Sequence, residues 1–479
     1  MSNELHLDLD GVPIDVGPRP APHAAKLSPT AWAKENLFNS IGNSIITLVF
    51  GAIFIATTWW AIGWLVDAEF EIVRRNLRLF MVGQFPKEEL WRLWLSGYTI
   101  LIAIGLVSGA LAHNTYDLAV EQGVPAERES LMSLVRRFWA LIAVMVFFVS
   151  FARTLLPYIG VAAAFALVIV SREVGWRMPS AVRHRAIYIG STLAIISMLV
   201  LSGTSKLGGV TLGLVAFFWA LSEMGRRDAP TTAAGKLARF AIPLAVAIIV
   251  FAIEVVIPFD GFGWEDWGGL HITLFTSVVG IALGMPLGIL LALGRQSDLP
   301  VIKSASVLFI EFVRGVPLIS LLLFSGLMLP FFLPIDFERP ADLTLAMIVI
   351  MGFSAAYIAE IVRGGLQAVP KGQTEAAQAL GMAPGSLQRL IVLPQALRAV
   401  IPAMVGQFIA LFKDTSLLVV VGILEFLDVA SVANNQPEFL GKGLAGVTYI
   451  FVAIGYWAFA FTMSKESRRL ETKLGVGTR

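Results

Sequence analysis

Apolar runs of eighteen or more residues recur along this chain of 479 residues, and that pattern rules out most folds. Inside hydrocarbon every peptide group must find its hydrogen bond within the spanning structure, which a helix or a closed barrel provides. A barrel strand alternates apolar and polar residues over about ten positions. The run from Leu343 to Ile361 does not alternate and carries one charge, Glu360. The chain is therefore expected to be an all-α polytopic membrane protein. Its composition agrees: 15% of residues are charged and 57% hydrophobic, where soluble domains carry about a quarter charged.

Twelve spans are expected. Seven lie in the first half: Ile41–Leu65, Leu93–Ala112, a pair within residues 138–171, Ile187–Leu201, Gly208–Ser222 and Phe240–Ile257. The stretch 138–171 is too long for one helix across a core of about 30 Å, so a break is placed between Arg153 and Pro157. After a turn-rich connector containing Trp264 and Trp267, five spans follow: Ile272–Leu293, Val316–Phe332, Leu343–Ile361, Ala399–Phe412 and Gly446–Thr462. The apolar piece Leu417–Leu427 is short; it extends the fourth of these or forms a re-entrant or interfacial segment.

Lys and Arg favour cytoplasmic loops. The segment Arg295–Arg314, read as a loop, holds Arg295, Lys303 and Arg314, and the tail holds Lys465, Arg468, Arg469, Lys473 and Arg479. The intervening loops, with Asp336, Glu338, Asp342, Asp428 and Glu438, are acidic on balance. Both termini then fall in the cytoplasm. One loop resists: Asp67–Arg92 carries Arg74, Arg75, Arg78, Lys87 and Arg92 yet lands outside. Either it breaks the bias, or the split in 138–171 is wrong and everything before it inverts. Residues 1–40 lack a signal-peptide apolar core and are expected to be a cytoplasmic tail; residues 41–260 form an N-terminal transmembrane region and 466–479 a cytoplasmic C-terminal tail. Net charge is +2, too small to imply a nucleic-acid partner. With no cysteine there is neither disulfide nor thiol chemistry.

Between two apolar runs lies a polar island, residues 363–398, whose pattern is helix, turn, helix. Lys371–Leu380 is rich in helix formers, Gly381 suits a left-handed helix stop, and Pro384 suits the first turn of a second helix. That second helix carries Leu387, Leu390 and Ile391 on one side and is expected to end before Pro394.

The island reads Glu375-Ala376-Ala377, three residues, Gly381, nine residues, then Ile391, Leu393 and Pro394. This resembles the EAA loop of ABC importer permeases at full spacing. Glu360-Ile361-Val362-Arg363-Gly364-Gly365, Gly372-Gln373, Glu311 through Pro317 and Phe412 through Leu417 look like the polar amino-acid uptake branch of that family. The resemblance covers residues 268–465. More loosely, Leu37-Phe38-Asn39-Ser40 and the early Trp-rich span look like the long permease subunits of general L-amino-acid importers.

The resemblance implies a type I ABC importer-like five-helix core over 268–465, preceded by extra spans, in the inner membrane of a bacterium. It implies a permease subunit importing L-amino acids of polar or broad range, with a cytoplasmic ABC ATPase dimer, a second and related permease subunit, and a periplasmic or extracellular amino-acid-binding protein as partners, within the lipid bilayer. The residues that dock the ATPase would be Glu375, Ala376, Ala377, Gly381, Ile391, Leu393 and Pro394. No cofactor is expected on this chain; ATP and Mg would be used by the ATPase. The sequence has no phosphate-binding loop of the form G-x-x-x-x-G-K-[ST] and no His pair at metal-ligand spacing, so enzyme readings are poor.

Intramembrane charges default to function. Lys413 and Asp414, at the end of a span, could offer a cation and an anion to a zwitterionic amino acid, or form a self-paired couple at the interface. Glu311 with Arg314, and Glu360 with Arg363, are each three apart and able to pair across a turn; the second couple would brace the hairpin. Arg153 and Glu254 show no partner in the sequence. The alternatives to an ATP-driven permease are a secondary transporter working alone on an ion gradient and a polytopic scaffold without transport.

Overall fold

Helices account for every long element in the computed structural model, which describes residues 28–123, 128–183, 266–332 and 342–474, with 186, 190 and 197 besides. The expected spans at 187–201, 208–222 and 240–257 fall mainly or wholly outside the described residues, as do Glu254, Asp336, Glu338 and most of the N-terminal tail. Among the described residues seven helices are long and apolar enough to cross a membrane, or eight if one bent pair is a single span. The protein is a multi-pass membrane protein.

Residues 1–68 and 69–479 form two units. In the first, α1 (Pro29–Asn36) and α2 (Ile41–Asp67) are capped by Ser28 and Ser40, whose hydroxyls accept from the Ala31 and Asn43 N–H groups at 3.2 Å. At 27 residues, α2 is about 40 Å long, ample for a span.

The second unit opens with α3 (Glu71–Val82), an amphipathic helix burying Ile72, Val73, Asn76 and Phe80. Then come α4 (Leu90–Glu121), α5 (Leu131–Arg137), α6 (Trp139–Ser150) and α7 (Leu156–Arg177). The break expected in 138–171 is present between Ser150 and Leu156, with Pro157 in the first turn of α7. Helices α4 and α7 run parallel and nearly touch. A methyl on Gly105 would meet the Ser171 hydroxyl, one on Gly109 the Arg172 carbonyl, and one on Gly175 the Leu106 carbonyl. Small residues four apart allow this approach in a membrane, where packing and not water expulsion holds helices together.

The remaining elements are α8 (Ser180–Arg183), α9 (Gly269–Arg295), α10 (Pro300–Gly315), α11 (Leu318–Leu323, running into a π turn), α12 (Asp342–Ala368), α13 (Lys371–Ala379), α14 (Pro384–Leu387), α15 (Leu393–Asp414), α16 (Phe426–Asn434) and α17 (Ala445–Leu474). Two corrections follow. The basic stretch 295–314 is not a loop: α10 fills most of it and meets the next helix at 105°. Val316 at the corner is extended, as a residue before proline must be. The charged tail is not separate either, for α17 carries it as helix to Leu474.

Residues 69–92 sit at the end of the bundle opposite residues 371–387. There α3 packs on the start of α9 and on α16. Three of the cations in 69–92 have acceptors: Arg75 bonds Glu71 and Glu438, Arg92 lies 2.8 Å from Glu89, and Arg78 donates to the Phe85 carbonyl at 3.0 Å; Arg153, from the break before α7, also bonds Glu71. The hydrogen bond from Arg75, then the Arg153 charge, hold the Glu71 carboxyl below its usual range. So the stretch 138–171 is two helices, α6 and α7, and the break between them is tied to α3 through Arg153. Arg153, which had no partner in the sequence, has one across 82 positions.

Three glycines fasten α3 to the bundle. Gly83 closes α3 with φ 67°, and Gly269 opens α9 with φ 58°. A methyl on Gly269 would lie 2.4 Å from the Phe80 carbonyl, and one on Gly83 2.4 Å from Gly268 Cα. Gly269→Ala combines a left-handed backbone with a backbone clash. It is expected to cost at least about 2 kcal/mol, read as a lowered melting temperature of the purified protein; Gly381→Ala, with open space at the same φ region, should cost less.

Candidate coupling surface and its charged mount

Helix α13 projects from the end of α12, and its stop is a complete Schellman closure. Met382 N–H reaches the Ala377 carbonyl at 3.1 Å and Gly381 N–H the Gln378 carbonyl at 2.9 Å, with Gly381 at φ 71°. This is the left-handed stop that glycine makes inexpensive. The return helix does not end before Pro394, as the sequence had indicated. From α14 it passes through a π turn, Gln388–Val392, straight into α15. The wider turn accommodates the carbonyl that Pro394 would otherwise crowd and leave without its donor. The hairpin is thus continuous with the long helix α15.

Inward, the hairpin is bolted to the bundle. Ala377, Leu387 and Val392 are buried among Ile310, Ile358, Val362 and Ala396, with Met382, Ile391 and Leu393 packed against them. Outward it presents Glu375, Ala376, Gly381 and Pro394, all exposed. The residues picked out by spacing therefore divide in two: Ala377, Ile391 and Leu393 face the chain's own core, and only the rest can face anything else. Two side chains that the spacing missed join the outer face. Leu380 is 83% exposed; Leu390, expected on one side with Leu387 and Ile391, is 55% exposed while Leu387 is buried and Ile391 packs beside it, because the π turn rotates the helix between them.

Directly behind the hairpin the ends of three helices meet in a charged hub. Glu360 on α12 accepts from Arg363 Nε at 3.0 Å to both oxygens, and lies 3.5 Å from Arg295 on α9 and 3.5 Å from Arg314 on α10. Arg295 also donates to Glu311 at 2.8 Å. The expected Glu360–Arg363 couple is present. The expected Glu311–Arg314 couple is not: each of those residues reaches across to another helix instead.

At the far end of α15, Lys413 is exposed and Asp414 half-buried, with no ion pair for either among the described residues. Consecutive helical residues point about 100° apart, so they do not pair with each other. Nearby, Glu425 is fully buried. It caps α16 through the N–H groups of Leu427 and Asp428 at 2.8 and 2.7 Å and accepts from the Tyr456 hydroxyl at 2.9 Å. No group of metal-ligating side chains occurs among the described residues.

Comparison with known proteins bears on this geometry. Residues 284–465 match the family described as "Binding-protein-dependent transport system inner membrane component". Along an alignment of 493 positions, 96% of each chain, the protein is 32% identical to the glutamate/glutamine/aspartate/asparagine transport system permease protein BztC of Rhodobacter capsulatus. This chain belongs to that family of ABC transporter permeases. The permease is 47% identical over 213 residues to the inner membrane amino-acid ABC transporter permease protein YhdY of Escherichia coli, a match spanning 44% of this chain and 57% of that one. The crystal structure of an amino acid ABC transporter with histidines aligns with 43% of this chain and 92% of that chain, at 31% identity and a TM-score of 0.38. As a permease subunit of a binding-protein-dependent importer, the protein is not an enzyme; the ATPase is a separate subunit.

Proposed function

We propose that this permease carries L-amino acids of polar or broad range inward across the bacterial inner membrane, with residues 363–398 as the surface that receives motion from a cytoplasmic ABC ATPase. The carrying observation is the two-faced hairpin. One side is packed into the bundle through Ala377, Leu387 and Val392, and the other offers a carboxylate, small residues and unburied leucines. A short helix so mounted moves with the spans as one body. The glutamate, glutamine, aspartate and asparagine named for BztC support a polar substrate class.

On this reading residues 268–465 are a five-span core: α9, α11 with its π turn, α12, α15 and α17. Residues 41–260 add seven spans, for twelve in total, and residues 1–40 and 466–479 are cytoplasmic tails. The hairpin end faces the cytoplasm, and the α3 end faces a periplasmic or extracellular amino-acid-binding protein. One such core with one hairpin serves one half of an ATPase dimer, so a second, related permease subunit completes the pathway. ATP binding closes the ATPase dimer, draws the two hairpins together and opens the cavity outward; hydrolysis resets it. Lys413 and Asp414, unpaired with each other, are available to line the substrate path.

The test is reconstitution into liposomes with the partner permease, the ATPase and the binding protein. Amino-acid uptake is expected only when all are present and ATP is supplied on the hairpin side. Uptake by the permease alone on an ion gradient would instead make it a secondary transporter.

A further inference from the structure

At the hairpin end of α7 a cleft of about 630 Å³ opens on the side of the bundle, with two kinds of wall. One wall is Ile169, Val170 and Val174, which are 46%, 59% and 49% exposed. They lie on the last turns of a helix that is a candidate span to Arg177, so this wall stands at hydrocarbon depth and ends at the interface. The other wall is cationic. Arg128 lies over the Trp176 ring at 4.7 Å and bonds Glu173, which also holds Arg177 through Nε at 2.7 Å. The Arg177 side chain is 77% exposed and its two terminal nitrogens are left for another acceptor. Trp176 is held by His113, whose ring stacks on it at 4.6 Å and whose ring nitrogen lies against the Trp176 carbonyl, which fixes the indole under Arg128.

Deeper in the cleft, Glu129 is shared by Arg137 and Arg172, each at 3.6 Å, and by Arg469, while Arg137 also binds Glu466. Among the described residues the cluster holds five guanidinium groups against three carboxylates, an excess of two positive charges at a membrane boundary. A soluble anion could answer the charge but would leave the valine and isoleucine wall against water or bare lipid. A zwitterionic lipid could cover the wall but would not answer the charge. We propose that an anionic phospholipid occupies this cleft, its phosphate on Arg128 and Arg177 and one acyl chain along Ile169, Val170 and Val174. Basic pockets between spans on one leaflet are suited to such headgroups. This assignment concerns the N-terminal region and stands whatever the permease transports.

The site contains its own reporter, Trp176. With the permease in nanodiscs, phosphatidylglycerol with brominated chains is expected to quench a component of tryptophan fluorescence that is missing in Trp176→Phe, at far lower mole fraction than brominated phosphatidylcholine. The double variant Arg128→Gln, Arg177→Gln should lose about fivefold in that preference for each arginine removed, on the order of 25-fold together, whereas Arg128→Lys, Arg177→Lys should retain most of it. Gel filtration and retained uptake identify variants that fold. Equal quenching by the two lipids, an unchanged preference in the glutamine variant, or full displacement of phosphatidylglycerol by inorganic phosphate would each overturn the proposal, the last in favour of a free-anion site.

Discussion

A permease carrying Glu375→Arg is expected to insert and fold like the unaltered chain and yet lose ATP-driven uptake. Glu375 is exposed on α13 and has no ion pair among the described residues. An exposed substitution of that kind changes stability by no more than about 0.5 kcal/mol. The effect lies on the partner. Where a carboxylate is desolvated against an ATPase groove, losing one member of a charge pair costs about 2–5 kcal/mol, and reversing the sign adds repulsion. Binding of the ATPase should fall at least about 30-fold, measured by co-purification, with uptake at background. Leu380→Asp offers a second route to the same surface. Its side chain is 83% exposed and contributes nothing to the isolated fold, but burying a leucine in a complex is worth about 2 kcal/mol, again about 30-fold. Ala377→Asp should behave differently, unfolding the hairpin's mount because Ala377 is only 2% exposed. Coupled uptake at the normal rate in both Glu375→Arg and Leu380→Asp would remove the hairpin from the mechanism.

How much of this was legible beforehand follows the physics of each segment. Spans such as Leu343–Ile361 are written in composition, because hydrocarbon tolerates little else, and the structure extends this one only at its ends, to Asp342–Ala368. The Gly381 stop was legible because one backbone conformation needs one residue type. The interfacial helices α3 and α10 were hidden by their charges. Arg74, Arg75 and Arg78 made residues 71–82 look like a loop, while Ile72, Val73, Asn76 and Phe80 mark one buried face. In α10 the same is true of Ser306, Ile310 and Val313 behind Lys303, Glu311 and Arg314. Pairings across the chain were not legible at all. Spacing three apart joined Glu311 to Arg314, but local spacing cannot see that Arg295 ends beside Glu311 and Arg314 beside Glu360. The direction in which Ala377 faces is likewise a tertiary fact.

That hub makes the remaining expectation. Glu360→Gln keeps the shape of the side chain and one acceptor but removes the charge that three arginines share. Arg295, Arg314 and Arg363 then face one another with only Glu311 between them. The Glu360 side chain is 24% exposed and those of its partners 26–32%, so each pair is partly screened and worth at most about 1 kcal/mol; the three together give a loss of about 2 kcal/mol. The expected result is a lower melting temperature that approaches that of the unaltered protein in high salt, as screening weakens both the lost attraction and the new repulsion. Function should suffer more than stability. Glu360 ties α10 to α12 where the hairpin joins, so without it motion delivered to the hairpin reaches α10 only through the apolar packing of Ile310. ATP hydrolysis by the assembled complex should persist while the amino acid moved per ATP falls. Adding Arg314→Gln to Glu360→Gln removes one of the unmatched cations and should recover part of the melting temperature but not the coupling, since the ionic tie between α10 and α12 is still missing. Recovery of both together would mean that the hub stores charge balance alone and transmits nothing.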